Sequence, residues 1–418
     1  MSNTVWGLNL SYRTQARLIT RFVDALPLIT TKAPSSVTVD VEFAQFIPGH
    51  SKAIGKEGTV YIDDFEGAKS TIDLKNISNW YLASTPQGQT TGTMFPEAAA
   101  GTGLTYGYNR AKLAWYVIDQ LFYDKNTNLI PPNVSNTELS TQYVRQVWET
   151  EIFPNKQPLN GVPVNLQVLN LAYYPSERGP YNYNITGVNA DGTLANPAKS
   201  WGGVIRKIET TDFDATNIQY IEFWMMDPFV YDTSNAGQLY FNLGDISEDI
   251  LRDGRKSYEN GLPTTALVKD VDTTIWGRVP RLQALVDAFD YNADSRPYQD
   301  VGYDGLQDLD ELSFFDTSYV SRIRNAFGNA SGAYKSASTD PSADDYHYFR
   351  GTDYDNDPNY SSVLNRYKKF NGTEGNSPNA AQFPENYPTS ATTLPNMEDI
   401  NKDNTLSETE RYYQYVIQ

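Results

Sequence analysis

Cysteine is absent from the 418 residues, which excludes disulfides, zinc–thiolate sites and thiol nucleophiles. Histidine is nearly absent. With only His50 and His347, a histidine-based metal centre or a Ser-His-Asp triad has little to draw on, and each histidine reads as a local hydrogen-bonding residue. Positive charge is also short, 33 Lys plus Arg against 51 Asp plus Glu, and the net charge of −18 disfavours nucleic acid and anionic lipid as partners of the whole chain while favouring cations. No run of about 18 apolar residues occurs, so no membrane-spanning helix is expected. The first residues show no basic segment followed by an apolar core and a small-residue cleavage site, and an excised portion of something larger is expected. Walker, Rossmann, zinc-protease and nucleophile-elbow motifs are missing too, which leaves catalysis without positive support.

What is abundant is aromatic: 30 Tyr, 18 Phe and 7 Trp, with Gly, Pro, Asn and Asp between the apolar runs. That mixture suits β-rich exported proteins, whose sheets use aromatics and whose turns use the small polar residues. A strand is expected over Val5–Tyr12, then a short helix with Leu18, Ile19, Phe22, Val23 and Leu26 on one face. Val37, Val39, Val41 and Phe43 alternate with Thr38, Asp40 and Glu42, the pattern of a strand with one face on apolar material and one in water. Further strands are expected in 59–67, 80–83, 164–172, 201–210, 218–229 (covered on both faces) and 238–246, with helices near 110–123, 137–151 and 282–289. The resulting expectation is a mainly β chain with helical insertions: an N-terminal strand and helix over 1–36, a jelly-roll-like β-sandwich over 37–246 with a helical insertion near 110–151, and an acidic loop-rich region over 247–418. No repeat of fixed period is visible.

The sharpest chemical pattern is 398-EDINKDNTLSETERYY-413. Asp399, Asn401, Asp403, the carbonyl of Thr405, Ser407 and Glu410 fall at positions 1, 3, 5, 7, 9 and 12 of a calcium loop, with Leu406 at the inward apolar position. Asn404 stands where glycine is expected and tolerates the positive φ the turn needs. The competing reading is a helix start, with Ser407 as N-cap and Glu410 completing a capping box before a helical SETERYYQY. Six matching positions favour a structural calcium ion. Two shorter patches, Asp290, Asn292, Asp294 and Asp353, Asp355, Asp357, also alternate oxygen ligands, and Asp304, Asp308, Asp310 and Glu311 form a third acidic group read as structural. Paired carboxylates such as Asp63, Asp64 and Glu66, or Asp245, Glu248 and Asp249, admit a glycosidase reading, but proximity in sequence does not fix the separation across a sugar that such chemistry needs.

Several strings together resemble one family: 37-VTVDVEFAQFIPGH-50, 59-TVYIDDFEG-67, 175-PSERGPYNYN-184, 220-YIEFWMMDPF-229, 238-QLYFNLGDISEDILRDGRKSYENGLP-263, 302-GYDGLQDLDE-311, 345-DYHYFRGTDYD-355 and 366-RYKKFNGTEGNSP-378 are similar to the SprA/Sov family, the outer-membrane translocon of the type IX secretion system, associated with gliding motility. The resemblance implies a non-enzymatic soluble part, extracellular or periplasmic, of a giant outer-membrane β-barrel. It also implies partners among the other secretion components and exported cargo, and membrane contact only through a barrel outside this chain. The same strand set with YIDDFEG resembles carbohydrate-binding sandwich modules over short segments, which makes a glycan-binding module the alternative.

Overall fold

The computed structural model describes residues 4–27, 33–47, 72–87, 95–101, 103–124, 129–156, 164–216, 218–231, 236–258, 265, 267–282, 289, 295, 298–299, 302–370 and 395–417. The chain divides into two compact units, one of residues 1–71 with 212–219 and one of 72–211 with 220–418.

In the first unit β1 (Thr4–Gln15) and β2 (Ser36–Ile47) form a twelve-residue antiparallel hairpin from Thr4↔Ile47 to Gln15↔Ser36. Their period-two patterning is the cause, and the expected strands and helix are all there. The connection carries α1 (Arg17–Asp24), held at the hairpin end by Ala16 N–H donating to Ser35 O and Ser35 N–H donating to Thr20 Oγ1, at 2.8 and 2.9 Å.

The second unit is mixed. Its strands pair two at a time among the described residues: β3 (Tyr81–Leu82) with β8 (Val204–Ile205), β4 (Ala111–Tyr116) with β7 (Asn170–Arg178), β5 (Val147–Trp148) with β6 (Asn165–Leu166), β9 (Leu239–Asp245) with β12 (Arg411–Ile417), and β10 (Val271–Thr273) with β11 (Arg278–Pro280). Helical segments are α2 (Glu149–Ile152), α3 (Asp308–Phe314), α4 (Ser321–Phe327), α5 (Gly332–Thr339), α6 (Thr352–Asn356) and α7 (Val363–Arg366). Among the described residues the expected jelly-roll sandwich is therefore replaced by small antiparallel pairs and short helices.

Aromatic packing, not a broad sheet, holds this unit. Tyr183 stacks on Phe315 at 4.4 Å and meets Tyr319 and Trp276 in one cluster, while Tyr367 stacks on Tyr116 at 4.3 Å and on Phe349 at 4.5 Å in a second. Each such pair contributes about 0.5–1.5 kcal/mol beyond the area it buries. Two arginines lie wholly inside. Arg110 donates to the carbonyls of Pro180, Ala83 and Ile250 and lies over the Trp201 ring; Arg366 donates to the carbonyls of Phe349 and Tyr360 and pairs with Asp355 at 2.9 Å. These acceptors offset the cost of burying the two charges, although Arg110 Nε itself meets no acceptor.

Several expectations need correction. The helix expected near 110–123 is β4 followed by a 3-10 turn over Gln120–Tyr123, because Ala111–Tyr116 is buried on both faces and a doubly covered strand looks like a helical apolar run. The helix near 137–151 is a 3-10 turn over Glu138–Ser140, then β5 and α2. Residues 218–229, expected as a covered strand, carry no ladder and leave Tyr220 and Trp224 exposed. The strand expected in 59–67 and most of the helix near 282–289 lie outside the described residues.

Candidate functional site

The tail loop folds back on its own backbone. Asp399 Oδ1 accepts from Asp403 N–H at 3.0 Å, and its Oδ2 accepts from Asn404 N–H at 2.7 Å and the Tyr258 hydroxyl at 3.0 Å. Asn401 Oδ1 accepts from Asp403 N–H at 2.8 Å, and Asp403 Oδ1 accepts from the amide and hydroxyl of Thr405 at 2.8 and 2.5 Å, bonds that hold the Asp403 carboxyl below its usual range. Asn404 has φ +64°, so the glycine position is filled as the sequence required. The side chain nearest Asp399 in charge is supplied by the protein: Lys256, 6% exposed, has Nζ 4.0 Å from Asp399 Oδ2 and donates to Asn404 O at 2.7 Å and Oδ1 at 2.5 Å. Glu410 turns to the neighbouring segment, where Oε1 accepts from Ser247 N–H at 3.1 Å, and burial pushes its carboxyl up. The helix expected after the loop is β12, paired with β9. Residues 411-RYYQYVI-417 are rich in β-branched and aromatic side chains, which suit a strand, and the capping-box reading falls with the helix.

A second copy of the loop lies opposite the first. Residues 248-EDILRDGRKS-257 share Glu, Asp, Ile, Asp and Ser with 398-EDINKDNTLS-407 at the same spacing. The two copies bond reciprocally: Glu248 N–H donates to Ser407 O and Glu398 N–H to Ser257 O, at 2.8 and 3.1 Å. The Glu248 carboxylate accepts from Asn401 and Ser407 N–H, and that of Glu398 from Ile250, Leu251 and Ser257 N–H. Positive φ recurs at matching positions, Arg252 with Lys402 and Gly254 with Asn404, and Asp249 accepts from Asp253 and Gly254 N–H as Asp399 does from Asp403 and Asn404. Lys256 corresponds to Leu406, so the ammonium that reaches the tail copy has no counterpart at the matching position. Burial, with Asp253 and Glu408 nearby, pushes the Asp249 carboxyl up to about 6. A two-copy repeat has no fixed period, and only aligning the chain against itself reveals it.

Asp304, Glu311 and Asp344 form a buried group whose carboxylate oxygens lie within 4.8 Å of one another. Asp304 and Glu311 accept from the hydroxyl and amide of Ser342, and Asp344 accepts from the Tyr181 hydroxyl at 2.8 Å. Burial, then the Glu311 and Asp304 charges, push Asp344 well above the ordinary carboxylate range. Asp344 lies too far along the chain to be grouped with the other two from sequence. The 353–357 patch divides its carboxylates among separate partners: Asp353 meets His347 Nε2 at 3.0 Å, Asp355 pairs with Arg366, and Asp357 Oδ1 accepts from Asn359 N–H at 2.8 Å. Asp290, Asn292 and Asp294 lie outside the described residues, as do Asp63, Asp64 and Glu66.

The hairpin sorts its side chains by face. Trp6, Leu8, Leu10 and Tyr12 of β1 stand beside Gln45, Phe43, Val41 and Val39 of β2, and Trp6 meets Phe43 at 5.1 Å between ring centres. On the opposite face Asn9 donates to Glu42 at 2.9 Å and Ser11 to Asp40 at 2.6 Å. These polar pairs are thus satisfied within the hairpin, while Val5 and Phe46, opposite each other on the same face nearer its open end, are exposed. The apolar face is exposed, Leu8 at 58% and Leu10 at 53%, and among the described residues β1 and β2 pair only with each other. Among the described residues no helix is long and apolar enough to cross a membrane, which leaves open whether strands do so.

Residues 318–418, from three residues before α4 to the end of the chain, match the SprA_N family model, described as motility related/secretion protein. No curated protein matches the chain in sequence.

Proposed function

Since the chain belongs to the SprA/Sov family of motility-related secretion proteins, we propose that it is a non-enzymatic part of the outer-membrane translocon of type IX secretion, in which the second unit borders the export path and the β1–β2 hairpin is a pair of barrel strands. The observation that carries this reading is the hairpin. Over Leu8–Tyr12 and Val39–Phe43 its strands alternate lipid-compatible and hydrogen-bonded polar side chains. Their twelve residues exceed the roughly 9–11 that a tilted strand needs to cross a bilayer, and Trp6 and Tyr12 bracket the apolar band as interfacial aromatics do. In water such a hairpin is marginal at best, and its outer edges need strands from elsewhere in the assembly. Export competence in envelope-expressing cells tests it: Leu10→Lys on the apolar face should abolish assembly, costing about 2–4 kcal/mol at the bilayer midplane, while Ser11→Lys on the polar face should be tolerated. Equal tolerance of both would refute the strand assignment.

A structural calcium ion at the tail loop is part of the proposal. Asp399, Asn401, Asp403, the Thr405 carbonyl and Glu410 are the ligands the spacing offers, and the positive φ of Asn404 supports the turn. Calcium must compete there with the Lys256 ammonium. The glycan-binding alternative draws on exposed Tyr220 and Trp224, beside a groove with Phe153 and Phe223, and saturable retention on immobilised polysaccharide that Trp224→Ala removes is what would favour it.

A further inference from the structure

The helix between the two hairpin strands carries its apolar side outward. At about 100° per residue, Leu18, Ile19, Phe22 and Val23 fill one half of α1, with Leu26 following in the turn after it, and Arg17, Thr20, Arg21 and Asp24 fill the other. In a helix packed on a core the first set would be covered. Here no residue of α1 is buried, Leu18 is 72%, Ile19 44% and Phe22 76% exposed, and the half-buried residues are Val23 and Thr20, the latter tied to Ala16 O and Ser35 N–H at the hairpin end. Arg13, Arg17 and Arg21 gather at this end against Asp24, a local positive balance in a chain whose net charge is −18.

We propose that α1 is an interfacial helix that lies in the headgroup layer of an anionic phospholipid surface, with Leu18, Phe22 and Leu26 toward the acyl chains and Arg17 and Arg21 toward phosphate. The proposal rests on the membrane reading of the hairpin, of whose connection α1 is a part. A lipid interface is favoured as occupant because it alone meets both halves of the helix at once: apolar chains for the exposed arc, negative headgroups for the arginines beside it. Tyr12, at the α1 end of the apolar band, stands at the height where interfacial aromatics gather.

The absence of cysteine allows background-free labelling of the full chain. A polarity-sensitive dye on Phe22→Cys reports α1, and the same dye on Leu10→Cys reports the hairpin, each mixed with phosphatidylcholine vesicles with or without phosphatidylglycerol. The Phe22 probe should shift to the blue with phosphatidylglycerol. Arg17→Gln with Arg21→Gln should weaken that partition about thirtyfold, at roughly 1 kcal/mol per basic residue, and leave the weak binding to neutral vesicles unchanged. Asp24→Lys should strengthen it on anionic vesicles and leave binding to neutral vesicles unchanged, a charge-dependent gain. A Phe22 probe that stays aqueous on anionic vesicles, or an Arg17/Arg21 variant that binds as well as the parent, overturns the proposal whatever the hairpin does. A blue-shifted Phe22 probe with an aqueous Leu10 probe upholds the helix assignment and counts against the hairpin reading alone.

Discussion

Lys256 is the residue on which the tail loop turns. Its ammonium holds Asn404 and sits 4.0 Å from Asp399, whose side chain is fully buried, so the chain supplies a cation where calcium is proposed to bind. Lys256→Met removes that competitor and strands a buried carboxylate, a change that costs about 3–5 kcal/mol when nothing replaces the lost partner. The expected outcome is a variant of lowered melting temperature in chelator that regains much of it in millimolar calcium, with tighter calcium uptake by calorimetry than the parent. A variant indifferent to calcium excludes the ion. Asp249 in the twin loop makes a separate, pH-dependent prediction. Its folded pKa of about 6 lies above the ordinary 3.8, so the folded state holds its proton over that window and the unfolded state does not. Stability from this group therefore falls as pH rises from about 4 to about 6, and is fully lost above it. Asp249→Asn should flatten the slope of melting temperature against pH in that interval, whatever it does to the absolute value, and an unchanged slope contradicts the assignment.

The paired loops hold each other reciprocally. Glu398 gathers three N–H groups of the 248–257 copy and Glu248 two of the tail copy, so each glutamate secures the other's loop. Orphaning buried N–H groups costs about 1–3 kcal/mol apiece at the upper end, and the loss is local. Hydrogen exchange should show Glu398→Ala releasing the amides of Ile250, Leu251 and Ser257, and Glu248→Ala those of Asn401 and Ser407; release of both sets by either variant would mean one cooperative unit instead of two reciprocal holds. How legible these elements are in sequence depends on what sets them. The hairpin and α1 are readable because each has a period and one apolar face, and Asn404 is readable because only a few residue types accept its φ. β4 is not, since burial on both faces erases the alternation that distinguishes a strand from a helix. β12 is hidden for another reason: its strand state depends on β9, some 170 residues earlier, and the acidic loop before it carries an equally good local signal for a helix start. The joining of Asp344 to Asp304 and Glu311 likewise exists only through tertiary packing.

At the scale of the molecule, acid groups dominate the response to pH. Glu97, Glu248, Asp253, Glu398 and Glu410 join Asp249 and Asp344 in having carboxyl pKa values raised first by burial. Every one of them contributes stability that declines as pH rises, and a net charge of −18 adds self-repulsion in the same direction. The melting temperature should accordingly be higher near pH 5.5 than at pH 8 in low salt, and a maximum above pH 7 would contradict this. The central claim concerns the hairpin, and cysteine scanning of β1 in the envelope of cells producing the protein tests it most directly. Single cysteines at Trp6, Leu8, Leu10, Tyr12 and at Gly7, Asn9, Ser11, Arg13 would each be challenged with a membrane-impermeant maleimide. The account predicts alternation, with the odd-numbered set labelled from the aqueous lumen and the even-numbered set protected by lipid; equal labelling along the whole strand would show that β1 stands in water and is no part of a barrel wall.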